Sequence, residues 1–214
     1  RWRRTRDTFP RRRTAEDISA AETASIRHSV HKVCSFQGKH RFIAKYTDFP
    51  RIKYLTQAFP DAKFIHIIRD GRAVANSWCK MMQRGKMRAW DERDWWIRGW
   101  PEEWRKKFKR EAYTPLGFVA YQWKFLLREI WADAEALPSS QYLEVYYRDL
   151  MANPTSTLER LLSFCGADVT SRVAWYIKHM HLGSRNWKWQ QLDRERKTIL
   201  NEIVKGNGFT QLLD

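Results

Sequence analysis

The sequence predicts an α/β domain in which a mostly parallel sheet is flanked by helices on both faces. Three observations lead there. Phe64, Ile65, Ile67 and Ile68 form a β-branched and aromatic run interrupted only by His66, the pattern of a strand covered on both faces. Asp70 then offers an N-cap, Gly71 lets the chain turn, and Ala73, Val74, Ala75 and Ser77 continue as a helix, so residues 64–78 read as strand, tight turn and helix. Further on, residues 116–137 repeat apolar positions at three- and four-residue steps (Leu116, Val119, Ala120, Trp123, Leu127, Ile130, Ala134, Leu137) and run into a strand of Tyr142, Leu143, Val145 and Tyr146. Strands separated by helical patterns call for crossovers and parallel pairing.

The 214 residues suffice for one domain with a real core, and 43% hydrophobic with 14% aromatic content argues against disorder. Lys and Arg outnumber Asp and Glu by 40 to 24, a formal charge of +16, which attracts nucleotides, acidic glycans, nucleic acid and anionic lipid without choosing among them. Cys34, Cys79 and Cys165 are too few for a disulfide framework and match no zinc spacing, so the expectation is buried thiols in a reducing compartment. No Asp/Glu/His cluster has metal-ligand spacing, and no apolar run approaches the ~20 residues of a membrane span.

The elements follow in order. Arg1, Arg3, Arg4, Arg6 and Arg11 to Arg13 form a basic arm, readable as a nucleic-acid or targeting segment or as part of a truncated loop. A first helix is expected over residues 15–34, with Ile18, Ala21, Ile26, Val30 and Val33 as an irregular apolar face. Phe42, Ile43 and Ala44 read as a short buried strand ending in Lys45, which is then placed like Arg69 at a strand's carboxyl end; a solvated lysine is the alternative. A helix over residues 51–59 and a Pro60-Asp61 turn feed the strand at Phe64. Residues 80–114 form a long insertion that holds five of the 12 tryptophans: Trp90, Trp95, Trp96, Trp100 and Trp104. They read either as a lid whose rings stack on an acceptor or as anchors pinning the insertion to the domain. Asn153 and Pro154 open a helix that Gly166 closes, with Leu158, Leu161, Leu162 and Cys165 facing the sheet. Residues 171–179 form another helix, Gly183 to Asn186 turn the chain, and a last helix over residues 193–204 ends at Gly206-Asn207-Gly208.

Arg69 stands at the carboxyl end of its strand, where open α/β sheets bind ligands. Ser77 lies one turn above Ala73 on the following helix, and helical side chains lean back toward the N-terminus. A guanidinium, a hydroxyl and free helix N–H groups converging there would make an anion site, most naturally for phosphate. An Arg at a βα turn with a Ser on its helix also occurs without any ligand.

The segment IIRDGRAVANS resembles the 3′-phosphate-binding segment of the sulfotransferase family, which uses 3′-phosphoadenosine 5′-phosphosulfate (PAPS) as sulfuryl donor. Upstream, RFIAKYTDFPRIKYLTQAFPDAK resembles the strand, loop and helix before that segment; downstream, YLEVYYRDLMANPTSTLERLLSFCG resembles its tyrosine–acidic–Asp–Leu segment and following helix. The resemblance implies a single domain over residues 1–214 with a mostly parallel, P-loop-type three-layer sheet of three strands here plus a further central one. It implies that Arg69 and Ser77 hold the donor's 3′-phosphate and that Tyr147 approaches the adenine, packing being the alternative. SRNWKWQQL resembles the late loop that reaches back to this phosphate, making Arg185 and Lys188 candidates against generic surface charge. The family usually has an acidic residue where Arg148 stands. The loop after the Lys45 strand faces the acceptor in the family and carries a basic histidine in cytosolic members; Tyr46, Thr47 and Asp48 occupy it here, so Lys45 and Asp48 are the catalytic candidates. Glycan- and protein-modifying branches use a glutamate instead.

The family's Lys/Ser/Gly/Thr-rich loop for the 5′-phosphosulfate is not recognisable, so the sequence is expected to begin after it, leaving a sheet edge and apolar surface exposed. The implied chemistry is metal-free, in-line sulfuryl transfer to a small-molecule, glycan or protein acceptor. The implied location is the cytoplasm, or a secretory lumen if an upstream segment exists. Two readings compete with it: a basic nucleic-acid-binding protein, and an inactive nucleotide-binding scaffold.

Overall fold

The computed structural model describes residues 13–47, 49–180, 182–205 and 209–213. A short 3₁₀ turn, Ala15–Asp17, precedes α1, Ala20–Gln37. The helix starts at Ala20 rather than near residue 15 because Ser19 and Glu22 form a reciprocal cap, each side chain bonded to the other's backbone N–H at 3.1 Å. Gly38, at φ 60, closes it. The apolar face of α1 packs only in part, on the following helix: Ile26, Val30 and Cys34 are half-buried, Arg27 Nε donates to the Ala58 carbonyl at 2.6 Å, and no residue of this helix is fully buried.

Residues 41–47 then run exposed and without regular structure, so the strand expected at Phe42 to Ala44 does not form. Three apolar residues offer little burial, and a strand gains its backbone hydrogen bonds only from a neighbour; among the described residues none pairs. The segment is held instead by Arg41, whose Nη1 and Nη2 donate to the carbonyls of Cys165 and Gly166, each at 2.6 Å.

Helix α2, Ile52–Ala58, leads to β1, Phe64–Ile68. Next come α3, Gly71–Gln83; α4, Arg93–Trp96; α5, Glu102–Glu111; and α6, Pro115–Ala134. Strand β2, Tyr142–Tyr146, pairs in parallel with β1, Phe64 opposite Tyr142 through Ile68 opposite Tyr146. Among the described residues the sheet therefore has two strands, not three. The chain closes with α7, Tyr147–Ala152; α8, Pro154–Cys165; α9, Ser171–His179; a 3₁₀ turn, Asn186–Gln191; and α10, Arg194–Val204. The Gly206-Asn207-Gly208 stop and the basic arm as far as Arg12 lie outside the described residues.

The core is organised on α6. Thr114 caps it through the Gly117 N–H at 3.1 Å, Pro115 occupies its first turn, and Phe118, Val119, Trp123, Phe125 and Leu127 are buried along it. Helices α3 and α10 pack on it. The tryptophan-rich insertion is folded against the same helix. Trp100 is buried, stacked on Phe118 at 5.9 Å between ring centres, and donates its indole N–H to Gln122 Oε1 at 2.8 Å. Trp96 is buried too, while Trp90, Trp95 and Trp104 pack partly buried on the same core. These rings anchor the segment rather than standing out as a lid.

One face of the sheet is covered unevenly: Val145 on β2 is buried there, while its β1 neighbours are not. Ile65 and Ile67 are exposed, against the expectation of burial on both sides, because none of the described elements packs over them. On the other, covered face, Glu144 accepts from Trp131 Nε1 at 2.6 Å, from the Tyr142 hydroxyl at 3.1 Å and from the Tyr146 hydroxyl at 3.2 Å. His66 Nδ1 bonds the Tyr142 hydroxyl at 2.8 Å. The burial that makes this network compact pushes His66 down from 6.5 to about 4, although the Glu144 charge pulls it up. Tyr142 and Tyr146 are both raised, first by burial and then by Glu144.

Candidate anion-binding site

Local chemistry fixes the corner where β1 turns into α3. The Asp70 carboxylate caps the helix, accepting from the Arg72 N–H at 2.8 Å, and also grips the Arg72 side chain through Nε at 3.0 Å and Nη2 at 2.6 Å. Arg72 Nη1 donates to Asn201 Oδ1 at 3.2 Å, and its guanidinium lies over the Trp189 ring at 4.0 Å. This arginine is buried and fully engaged. Glycine at 71 has a reason other than backbone freedom: a Cβ there would stand 2.6 Å from the Trp123 ring. With the helix this close, Trp123 Nε1 donates to the Arg69 carbonyl at 3.1 Å.

Arg69 is held differently. Its Nε donates to Asn186 Oδ1 at 2.7 Å, and its guanidinium lies over the Tyr147 ring at 4.8 Å. Tyr147 opens α7 just past the carboxyl end of β2, so the two residues come from adjacent parallel strand ends. Nη1 and Nη2 of Arg69 have no protein partner among the described residues, and the side chain is half-buried. A braced cation with two unengaged donors at a strand's carboxyl end can grip an oxyanion by two parallel hydrogen bonds.

Of the residues singled out in the sequence, the fold joins Arg69 and Tyr147. Ser77 is exposed on α3 and makes no bond to Arg69. The late loop does return to this corner, but not through the two cations expected. Arg185 is exposed, and Lys188 is half-buried with its ammonium 5.9 Å from the Trp187 ring centre. Asn186 and Trp189, both buried, make the contacts instead. Lys45 is exposed in the irregular segment and not at a strand end; Asp48 lies outside the described residues. Sequence reasoning passed over Asn186, Trp189 and the Asp70–Arg72 pair. The signal for Trp189 and Asn186 was present in NWKW, four residues where attention went to the charge.

Among the described residues no group of three or more His, Cys, Asp or Glu is placed to hold a metal ion, and no helix is long and apolar enough to cross a membrane. Cys34, Cys79 and Cys165 are free and half-buried rather than buried.

The structure defines a mixed α/β protein with an arginine at the carboxyl end of a parallel strand pair. Comparison with known families makes this specific: the family model described as "Sulfotransferase family" matches residues 2–171, and the chain belongs to the sulfotransferase family. Among solved structures, it resembles the "Sulfotransferase Domain from the Curacin Biosynthetic Pathway" at 14% identity and a TM-score of 0.48, over 90% of this chain and 76% of that one. A search of curated proteins finds no match.

Proposed function

We propose that this chain transfers a sulfuryl group from PAPS to a hydroxyl or amine, and that Arg69 binds the donor's 3′-phosphate through Nη1 and Nη2. The observation that carries the reading is the Arg69 guanidinium, braced through Nε by Asn186 and stacked on Tyr147, with its other donors unengaged by any of the described residues. Tyr147 lines the adenine side, and the Ser77 hydroxyl with the late-loop cations Arg185 and Lys188 adds to the attraction for the phosphate. The parallel β1–β2 pair with its helical crossover supports a P-loop-type three-layer sheet for the complete site.

Chemically, the acceptor's oxygen or nitrogen attacks sulfur as the bond from sulfur to the bridging phosphate oxygen breaks. Charge grows on that bridging oxygen, and cations nearby stabilise it by the electrostatic logic of phosphoryl transfer. Lys45 and Asp48 are assigned to the acceptor side, Asp48 as the carboxylate that takes the acceptor's proton. Acceptors of glycan, protein or small-molecule type fit this scheme equally. Three free cysteines support a cytoplasmic setting.

The test is thermal. Adenosine 3′,5′-bisphosphate should raise the melting temperature well above the effect of adenosine 5′-phosphate at equal concentration, since a ligand at 100 times its Kd adds about 2.7 kcal/mol to the native state. Equal shifts from the two nucleotides would contradict the assignment.

A further inference from the structure

We propose that Asn186 is the positioning residue for Arg69, dictating which edge of the guanidinium reads the ligand's phosphate; this rests on the reading of the preceding section. A guanidinium has two edges that can meet an oxyanion through paired N–H groups, one formed by Nε with an Nη and the other by Nη1 with Nη2. Asn186 Oδ1 accepts the Nε–H at 2.7 Å, which withdraws the first edge and presents the second. With Tyr147 under the ring plane at 4.8 Å, both the rotation and the tilt of the group are determined.

The amide chemistry matters as much as the position. Three residues along, Arg72 is braced by a carboxylate: Asp70 takes its Nε and an Nη together and cancels its charge, leaving a structural cation. At Arg69 the brace is a neutral amide oxygen, which fixes the side chain without neutralising it, so the positive charge is retained for a ligand. The chain thus holds two arginines in opposite states, one just before α3 and one in its first turn. A carboxylate at position 186 would make them alike.

Asn186 is 6% exposed, and its backbone N–H donates to Ser184 Oγ at 3.4 Å. The turn it belongs to is pinned separately by Trp189, buried against Arg72 at 4.0 Å. Removing the Asn186 side chain should therefore leave the turn docked while loosening Arg69.

Calorimetric titration of the full chain with adenosine 3′,5′-bisphosphate and with adenosine 5′-phosphate, at one salt concentration, tests this on the parent, Arg69→Lys, Asn186→Ala and Asn186→Asp. Asn186→Ala should weaken the bisphosphate about tenfold, the worth of one hydrogen bond to a charged group. Asn186→Asp, which keeps the shape but competes with phosphate for Arg69, should weaken it further, to roughly a hundredfold, on the scale of a close charge pair. Neither should change binding of the monophosphate beyond about twofold, because the 3′-phosphate is the group Arg69 reads. If both Asn186 variants bind the bisphosphate as the parent does while Arg69→Lys does not, the positioning role is wrong and the site stands. If they lose both nucleotides in parallel with melting temperature, Asn186 is merely structural. A parent that does not prefer the bisphosphate overturns the site and this inference together. Should Asn186→Ala fail to fold, the isosteric Asn186→Asp decides alone.

Discussion

Two stretches of this chain carry the same signal, an apolar run that ends in a cation: Phe64–Ile68 before Arg69, and residues 42–44 before Lys45. One is a strand with its cation braced on two sides; the other is an exposed, irregular segment whose lysine is exposed as well. The difference lies in what each stretch meets. Strand β1 has five residues, a parallel partner in register along its whole length, and a helix that presses on Trp123 directly after it. Residues 42–44 have three, no partner strand among the described residues, and an arginine tether to the end of α8. An apolar run is thus a request for burial, and only tertiary contacts grant it.

The sharpest way to break this contrast is to truncate one isoleucine from each stretch. Ile68 is 2% exposed and belongs to the core around α6, so Ile68→Ala should cost about 2–5 kcal/mol in chemical denaturation. A loss below ~1 kcal/mol would mean that β1 is not anchored as described.

An intermediate, pH-dependent effect is expected from the covered face of the sheet. His66 is held near 4 against 6.5 by burial, so the unfolded chain takes up its proton first. Its contribution to stability is therefore complete above about 6.5 and is lost as pH falls toward about 4. His66→Gln should make the decline in melting temperature across that window shallower than in the parent. Superimposable profiles would show that the His66–Tyr142–Glu144 network does not govern it.

The smallest effect belongs to the second stretch. Ile43 is 91% exposed, and Ile43→Ala should stay within about 0.5 kcal/mol of the parent. A loss comparable to that of Ile68→Ala would mean that the two stretches are equivalent after all.

What was legible in the sequence follows the same division. Strand β1, the Asp70 cap, the long helix on Trp123 and the Asn153–Pro154 start of α8 were readable because local patterning and packing agree there. Helix α1 was displaced because its boundary is set by a Ser19–Glu22 cap lying inside the apolar pattern. The burial of Trp96 and Trp100 could be weighed but not decided, since a tryptophan in a charged segment reads the same whether it faces a ligand or a core. At the candidate site, Arg69 and Tyr147 lie together, and the late loop returns beside them through Asn186. The residue that makes the contact was not legible. Asn186 is uncharged in a chain of net charge +16, and its role exists only through a contact 117 positions away in sequence.

Under the proposed function, Arg69 recognises phosphate by geometry and not by charge alone. Arg69→Lys keeps the charge but loses the planar fork, so titration with adenosine 3′,5′-bisphosphate should show about 1.5–3 kcal/mol less binding energy, with the ligand-free melting temperature little changed. The exposed Arg110→Lys, run beside it, should bind as the parent does. If Arg69→Lys binds the bisphosphate as tightly as the parent, the +16 field is enough to account for the affinity and the site described at the end of β1 does not operate.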